Sequence, residues 1–412
     1  MNAPLDTVAL APSSADELAE ALREAAAAGR TVVPWGAGTL QHLGGPPDPA
    51  ALRLSTAGLS RVIEYNPADL TITAEAGLTL GAAQQLLGQH GQWLPWDPPT
   101  PERATIGGLL AAGASGPLRL GYGTPRDWAL GMRVALGDGR LVKSGGKVVK
   151  NVAGYESHKL QIGALGTLGV IAEVTLRVAP LPERGATLVC ACGSWADALA
   201  LADRLRERPM APVSLIAGPA EGRGVQVAAR FAGVPAAVER QLDAARAAAA
   251  ASGASIAIPS AEQAGALWRE LALFPAPGGA ARQHAPADPI ELVIRAGVRP
   301  SALGAALDAL GSSAPAGAAP RMIGYGGVGL AYARWRLAER TPAGEIAAAI
   351  GAARARLAGG GGYAVIEHAP GALRGLLDLW GPPPPTLAIM RALKAQWDPH
   401  SVLNRGRYAG GL

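Results

Sequence analysis

A short glycine-rich loop offers the clearest chemistry in this chain. The run Gly36-Ala37-Gly38-Thr39-Leu40 follows the apolar segment Thr31-Val32-Val33, which is predicted to be a buried strand. Glycines let a backbone turn several N–H groups toward one point, and such a nest binds phosphate-like anions. The Thr39 hydroxyl adds a donor. The loop is a candidate anion site, with an ordinary turn as the alternative at this stage.

Two common nucleotide-binding motifs do not fit these residues. Gln41 stands where the pattern G-x-G-x-x-G requires its third glycine. The run Gly145-Gly146-Lys147-Val148 lacks the Ser or Thr that follows the lysine of a P-loop. Neither the loop at Gly36 nor the run at Gly145 is therefore predicted to be a Rossmann or a P-loop site, and for the loop at Gly36 the ordinary turn stays open as the alternative to an anion site.

Further glycine-rich segments follow along the chain, and each alone could be turn chemistry. Their order and separations are hard to explain as turns alone. In order they are Ala104-Thr105-Ile106-Gly107-Gly108, Ala114-Ser115-Gly116, Gly121-Tyr122-Gly123, Lys150-Asn151-Val152-Ala153-Gly154-Tyr155 and the run from Gly163 to Ile171, with Asp398-Pro399 and Asn404 in the tail.

In these segments the sequence resembles the vanillyl-alcohol oxidase/PCMH-type FAD flavoproteins and, among them, the E subunits of glycolate oxidase. The resemblance covers about residues 31–178 and the tail, and it is weak over the middle of the chain. It implies FAD as the cofactor, with the loop at Gly36 around the pyrophosphate. The cofactor-binding residues that it implies are Trp35, Gly36, Ala37, Gly38, Thr39, Leu40, Pro98, Thr105, Gly107, Gly108, Ser115, Gly116, Gly154, Tyr155, Val170, Ile171 and Asn404.

Departures from the family pattern refine this expectation. Relatives that attach the flavin covalently carry a histidine where this chain has Thr39, so the resemblance implies non-covalent FAD. Ala164 replaces a usual serine, and Arg405 replaces the proline of a usual Asn-Pro-Gly. Catalytic D-type members carry a His-x-Gly-Asp-Gly-x-x-His segment, whereas Tyr325-Gly326-Gly327-Val328-Gly329-Leu330 has neither histidine nor aspartate.

No catalytic residue can be assigned from the sequence. The six histidines form no pair at metal-ligand spacing, so no metal site is predicted. His158 lies in a flavin-associated segment and is a functional candidate, with a satisfied core histidine as the alternative. Arg321, Arg334 and Arg336 could bind a carboxylate through paired N–H groups, or extend along an exposed strand.

Composition indicates a folded protein of more than one domain. The chain has 412 residues, 49% hydrophobic and 17% charged, with a formal net charge of +5 and no block of Lys and Arg. We therefore predict no nucleic-acid partner. The N-terminus lacks a signal-peptide pattern and no apolar run reaches membrane-spanning length. The predicted location is cytoplasmic, or peripheral to the inner membrane through a complex.

The order of predicted elements gives an α+β fold with an inserted domain. With the domain type that the resemblance implies, residues 1–180 are predicted as a PCMH-type FAD-binding domain, 181–384 as an α+β cap domain, and 385–412 as a return to the FAD domain. The cap shows two rounds of strands and Ala-rich helices, which predict a sheet with helices on one side. Cys190 and Cys192, two apart on a predicted strand, are expected to be inert buried thiols.

The resemblance implies an FAD-dependent oxidoreductase that acts within a glycolate (2-hydroxy acid) oxidase or dehydrogenase complex. Its reaction would be the oxidation of glycolate to glyoxylate, or the relay of the electrons. The implied partners are a D-type flavoprotein subunit and an iron–sulfur subunit, since two cysteines cannot hold a cluster that takes four thiolates. The alternatives are a self-sufficient FAD-dependent hydroxy-acid or alcohol dehydrogenase, and a non-catalytic assembly subunit whose flavin site has decayed.

Overall fold

The computed structural model describes residues 9–147, 154–220, 224–278 and 290–412. They form two compact units. The first comprises the residues up to Ser115, Thr124–Leu181 and Pro382–Leu412, and the second comprises Gly116–Gly123 and Pro182–Gly381.

The described residues form strands and helices in the following order. The strands are β1 Ala9–Leu10, β2 Val32–Trp35, β3 Leu52–Ser55, β4 Val62–Asn66, β5 Thr71–Glu75, β6 Gln92–Trp93, β7 Ala129–Ala135, β8 Leu141–Gly145, β9 Val170–Arg177, β10 Ala179–Pro180, β11 Arg184–Cys192, β12 Ser214–Pro219, β13 Val225–Gly233, β14 Ser255–Ala257, β15 Ile290–Gly297, β16 Arg321–Tyr325, β17 Leu330–Leu337 and β18 Tyr363–His368. The helices are α1 Ala15–Ala27, α2 Leu80–Gly88, α3 Ile106–Ala112, α4 Arg119–Tyr122, α5 Pro125–Trp128, α6 Trp195–Leu205, α7 Pro235–Ala251, α8 Ala261–Leu273, α9 Leu303–Ser312, α10 Ala343–Ala358, α11 Gly371–Arg374 and α12 Leu387–Trp397, with 3₁₀ turns at Ser157–Leu160, Pro300–Ala302 and Ala409–Gly411.

Helix α1 shows how local sequence sets up the first unit. The Ser14 hydroxyl caps it by accepting from the Glu17 N–H at 3.1 Å. The Glu17 carboxylate accepts from Ser13 rather than closing a capping box on Ser14. Leu18 and Leu22, one turn apart, are fully buried in the core formed with β2 and β3. This packing holds β2 in place, and the glycine-rich loop begins where β2 ends.

The described part of the first unit contains two larger sheets and a two-stranded antiparallel pair of β6 and β10. The parallel sheet has the order β1-β3-β2, and the antiparallel sheet has the order β4-β5-β9-β7-β8. The C-terminal tail joins the parallel sheet, because Leu403 forms a parallel bridge with Val32. The Asn404 N–H also donates to the Val32 carbonyl at 2.9 Å. The last residues of the chain thus lie beside the strand that leads into the loop.

The second unit contains an antiparallel sheet with a palindromic strand order. The order is β14-β11-β13-β12-β16-β17-β15-β18. Each half follows a β-α-β-β-α-β path, first through α6 and α7 and then through α9 and α10. The two halves meet where β12 pairs with β16, and each of these is the second strand of its own half. The two rounds of strands and helices predicted from the sequence are therefore two copies of one topology.

The sheet of the second unit carries a helix on each face, which corrects the expectation of helices on one side. Leu292 and Ala331 pack in the core that contains α9 and α10. The next residue along each strand, Val293 and Tyr332, packs with Trp268 of α8. Since neighbouring strand residues point to opposite faces, α8 covers the face opposite to α9 and α10. Helix α8 lies outside the two predicted rounds of strands and helices.

The two cysteines are free thiols on β11. Burial raises the pKa of Cys190 to about 12, and this residue has no exposed surface. Cys192 is half-buried and its pKa is also raised. Both thiols are therefore poor nucleophiles at neutral pH, because the thiolate is the reactive form.

Within the described ranges, no helix combines the length and the apolar character that a membrane crossing requires.

Candidate functional site

A groove in the first unit lies at the carboxyl end of β2. It is open to solvent, and its cavity volume is about 90 Å³. Its walls come from the loop after β2, from α3, from the start of β9 and from the tail. The residues that line it include Pro34, Trp35, Gly36, Ala37, Gly38, Thr39, Leu40, Gln41, Leu43, Thr56, Ala76, Thr105, Gly107, Gly108, Ala111, Ala112, Leu165, Gly166, Gly169, Val170, Ile171, Asn404 and Arg407.

The backbone N–H groups of Ala37, Gly38, Thr39 and Leu40 form the most informative feature of this groove. Within the described part of the chain, none of these four N–H groups donates to a protein acceptor. Backbone N–H groups in folded proteins are nearly always paired with protein or with solvent. Four consecutive unpaired donors beside a groove are the arrangement that receives an anion.

Glycines shape the loop by removing side chains from two crowded places. A Cβ on Gly36 would lie 2.2 Å from the Thr105 hydroxyl oxygen, so the loop packs directly against the start of α3. Gly38 has φ +72°, and a Cβ there would lie 2.7 Å from the Trp35 ring. Both close approaches require glycine.

The tail contributes two buried polar side chains to the groove. Asn404 is 4% exposed, and its side-chain amide donates to the Leu165 carbonyl at 2.5 Å. Arg407 is 3% exposed, and its guanidinium donates to acceptors on Gln41, Leu43 and Gly45 and to Asn404. Sequence reasoning found Asn404 and missed Arg407 and Gln41. In the sequence, the only indication for Arg407 is its position three residues after Asn404.

A buried ion pair holds the tail in this position. The Lys394 ammonium donates to the Asp398 carboxylate at 2.6 Å, to the Thr167 carbonyl at 2.7 Å and to the Leu403 carbonyl at 2.8 Å. Burial lowers the pKa of Lys394, and the neighbouring Asp398 carboxylate counteracts this effect. The pair therefore fixes the helix α12 and the return of the chain toward β2.

The structure brings many of the predicted cofactor-binding residues together. Those that line the groove are Trp35, Gly36, Ala37, Gly38, Thr39, Leu40, Thr105, Gly107, Gly108, Val170, Ile171 and Asn404. The remaining predicted residues do not line it.

The residues outside the groove are placed as follows. Pro98 is buried in the segment between β6 and α3, and Gly116 belongs to the second unit. Ser115 has a buried hydroxyl with no hydrogen-bond partner among the described residues. Gly154 is exposed, and the Tyr155 side chain is 97% exposed. The preceding residues of that segment, 150–153, lie outside the described residues.

The other candidate side chains serve the fold in this structure. Arg334 is 4% exposed and donates to the Phe274 carbonyl at 2.6 Å and to Glu291 at 2.7 Å. Arg321 and Arg336 lie 3.9 Å and 3.8 Å from glutamate carboxylates. No group of three or more His, Cys, Asp and Glu side chains among the described residues is arranged to hold a metal ion.

The groove is chemically suited to a dinucleotide. Among the described residues that line it, Arg407 is the charged one, and none is a carboxylate. A pyrophosphate is a dianion that unpaired N–H groups and a nearby guanidinium stabilise, while the apolar Ala, Leu, Val and Ile side chains accommodate aromatic rings.

A protein-family model described as an FAD binding domain matches residues 7–145. This match contains β2, the unpaired N–H groups and α3. Residues 7–145 of this chain are therefore similar to an FAD-binding domain. The prediction of FAD as the cofactor is confirmed.

Several curated relatives match parts of this FAD-binding chain. The glycolate oxidase subunit GlcE of Escherichia coli (strain K12) is 41% identical over 128 residues, covering 31% of this chain and 37% of the relative. The glycolate oxidase subunit GlcD of Bacillus subtilis (strain 168) is 32% identical over 180 residues, covering 44% of this chain and 38% of the relative. The D-lactate dehydrogenase of Archaeoglobus fulgidus is 34% identical over 173 residues, covering 42% and 39%. Each match spans less than half of the relative's length.

Two solved structures share the fold across nearly the whole chain. A p-cresol methylhydroxylase with bound substrate has a TM-score of 0.72 at 14% identity, covering 97% of this chain and 88% of that one. An alkyldihydroxyacetonephosphate synthase has a TM-score of 0.71 at 16% identity, covering 96% and 76%. The PCMH-type α+β fold predicted from the sequence is confirmed.

Proposed function

We propose that this chain is the FAD-binding subunit of a glycolate (2-hydroxy acid) oxidase or dehydrogenase complex. The observation that carries the proposal is the run of unpaired N–H groups at Ala37–Leu40 in the groove of an FAD-binding domain. The similarity to the E subunit of glycolate oxidase, at 41% identity over 128 residues, supports the particular complex.

The proposal gives the residues of this chain specific tasks. The loop from Trp35 to Leu40 binds the pyrophosphate, and Thr105, Gly107 and Gly108 line the path of the dinucleotide. Val170 and Ile171 lie on the adenosine side, and Asn404 approaches the flavin from the tail. The roles of Pro98, Ser115, Gly116, Gly154 and Tyr155 rest on the sequence resemblance, and the unpartnered Ser115 hydroxyl supports its own assignment. Thr39, which cannot take the place of a linking histidine, supports non-covalent attachment.

Bound FAD supplies a two-electron acceptor for the oxidation of glycolate to glyoxylate. The protein provides the position and the electrostatic environment of the cofactor. We propose that the first unit is the FAD-binding domain and that the second unit is its cap.

Two observations favour a subunit over an independent enzyme. The turn between β16 and β17, Tyr325 to Leu330, carries no histidine or aspartate that could bind a metal or a hydroxy acid. Arg334, a candidate for the substrate carboxylate, is committed to Glu291 and to backbone carbonyls. We therefore propose a D-type flavoprotein subunit and an iron–sulfur subunit as partners. The proposed location is cytoplasmic, or peripheral to the inner membrane through the complex.

A self-sufficient FAD-dependent dehydrogenase for another hydroxy acid or alcohol is the second candidate. The D-lactate dehydrogenase match favours it. A non-catalytic assembly subunit with a decayed flavin site is the third candidate. The unpaired N–H groups of the loop count against decay, because they retain the donors that an anion needs.

Purification of the chain alone and with its partners tests the proposal. We expect a yellow protein with the visible spectrum of a flavin that acid precipitation releases into the supernatant. Glycolate alone should leave this spectrum unchanged, and glycolate should bleach it when the D-type and iron–sulfur subunits are added.

Other outcomes would select another function. Bleaching of the isolated chain by glycolate or lactate would support the self-sufficient dehydrogenase. A colourless chain that binds no added FAD would contradict the FAD site and support the assembly subunit. Flavin that stays with the precipitated protein would contradict non-covalent attachment.

A further inference from the structure

Arg407 makes an unusually complete set of hydrogen bonds at the groove. Its Nε donates to the Gly45 carbonyl at 3.1 Å. One terminal nitrogen donates to the side-chain oxygens of Gln41 at 2.8 Å and Asn404 at 3.1 Å. The other donates to the carbonyls of Gln41 and Leu43, both at 3.0 Å. A guanidinium has five N–H groups, so all five are committed to protein acceptors.

This arrangement decides what Arg407 can do. A guanidinium with five committed N–H groups does not turn a donor toward a ligand without breaking a bond to the protein. Its partners, apart from Asn404, lie on the segment Gln41–Gly45, which directly follows the unpaired N–H groups of Ala37–Leu40. The backbone of Arg407 strengthens the connection, because its carbonyl accepts from the Gly45 N–H at 2.9 Å.

The Gln41 side chain connects Arg407 to strand β2. Its side-chain amide donates to the Pro34 carbonyl at 2.9 Å, while its side-chain oxygen accepts from Arg407. Pro34 lies in β2, immediately before the loop. The run of unpaired N–H groups is therefore held at both ends, by β2 on one side and by the segment bound to Arg407 on the other.

We propose that Arg407 is a positioning residue for the pyrophosphate of FAD. It fixes the backbone of Gln41–Gly45 and thereby holds the N–H groups of Ala37–Leu40 in their anion-binding geometry before the ligand arrives. Such preorganisation strengthens binding because less conformational entropy is lost when the ligand is bound. The inference rests on the proposed FAD site and adds a residue from the opposite end of the chain to it.

Variants at two tail arginines test this role. Arg407→Gln removes the guanidinium and its charge. Arg407→Lys keeps the positive charge but has three N–H donors in a different geometry. Arg405→Gln is the matched control, since Arg405 is exposed and donates to the Ser401 carbonyl. The affinities of FAD and of ADP, which carries the pyrophosphate without the flavin, are measured by calorimetry on the full-length chain freed of its cofactor.

The expected pattern is specific to the pyrophosphate. Arg407→Gln should lower the affinities for FAD and for ADP by the same factor, about tenfold or more, because several charge-assisted hydrogen bonds are lost. Arg407→Lys should recover part of the affinity, and Arg405→Gln should stay within about twofold of the parent. The phosphorus NMR shifts of bound ADP should move in Arg407→Lys, which a role confined to overall stability would leave in place.

Other results would overturn the inference. Unchanged FAD and ADP affinities in folded Arg407→Lys would do so, and so would a loss of FAD affinity with ADP affinity retained. Should Arg407→Gln not fold, Gln41→Ala replaces it, and it too must weaken ADP binding. A parent chain that binds neither FAD nor ADP contradicts the FAD site itself, which is a different failure.

Discussion

His158 shows how much an individual side chain depends on its surroundings. It is 2% exposed, and its backbone N–H and its ring Nδ1 both lie 3.2 Å from the Ser144 hydroxyl oxygen. Burial lowers the pKa of its imidazole. A neutral buried histidine is therefore favoured, which fits a structural role and leaves the catalytic residue unassigned.

This burial makes a pH-dependent prediction for stability. Below the ordinary histidine pKa of 6.5, the unfolded chain binds a proton that the folded chain resists, so the free energy of unfolding falls as pH falls. Above pH 6.5, the free energy of unfolding contains the full contribution of the neutral His158 imidazole. We expect urea unfolding to show a larger loss of stability between about pH 7 and about pH 5.5 for the parent than for His158→Gln. The exposed His90→Gln should behave like the parent, and equal losses in parent and His158→Gln would exclude this effect.

The loop after β2 joins secondary structure to the candidate site. Its neighbours are regular elements, β2 before it and α3 against it, while four of its N–H groups donate to no protein acceptor in the described part of the chain. Its conformation depends on glycine at two positions, since Gly38 has a positive φ and Gly36 contacts Thr105. Unpaired backbone donors of this kind are the groups that bind anions in nests.

A substitution of Gly38 tests this view of the loop. We expect Gly38→Ala to lower the free energy of unfolding by about 1–2 kcal/mol from the positive φ alone, and to weaken FAD binding because the new Cβ meets the Trp35 ring. Gly88→Ala is the control: Gly88 ends α2, and a Cβ there meets nothing within 4 Å. The control should keep FAD affinity and match or exceed the parent's stability. Both quantities follow from chemical denaturation and FAD fluorescence titration, and unchanged FAD affinity in Gly38→Ala would contradict the proposed cradle.

At the level of the whole molecule, the C-terminal tail packs against elements that come much earlier in the chain. Leu403 pairs with Val32, and the Lys394 ammonium reaches the carbonyl of Thr167, which is 227 residues away in sequence. The Lys394 side chain is 8% exposed and that of Asp398 is 0% exposed. The first unit is therefore complete only after the chain has passed through the second.

The ion pair of the tail makes a stability prediction. Lys394→Met leaves the buried Asp398 carboxylate without its cation, so we expect a loss of about 3–5 kcal/mol in the free energy of unfolding. Lys143→Met, at an exposed position on β8, should change it by no more than about 0.5 kcal/mol. Urea denaturation of both variants measures the difference. Equal stabilities would show that the tail does not depend on this pair.

Several features of the first unit depend on local sequence. The helix stripe of Leu18 and Leu22, the turn between β4 and β5 and the hairpin of β7 and β8 are determined by residues close together in the chain. The second unit was predicted less completely, because α8 covers a sheet face that no local pattern reveals. The strand order of that sheet also depends on which strands meet, and the β12–β16 pair joins residues more than a hundred positions apart.

For the candidate site, the sequence by itself determined the glycine-rich loop, Thr39 and Asn404, because glycine and polar residues limit what a short segment can do. Tertiary structure alone decided that Gln41 and Arg407, 366 residues apart, would meet and share hydrogen bonds. It also placed Tyr155 in solvent and the Ser115 hydroxyl in the interior. Such contacts depend on how distant elements pack, and the free energy of that packing is a property of the whole fold rather than of any short segment.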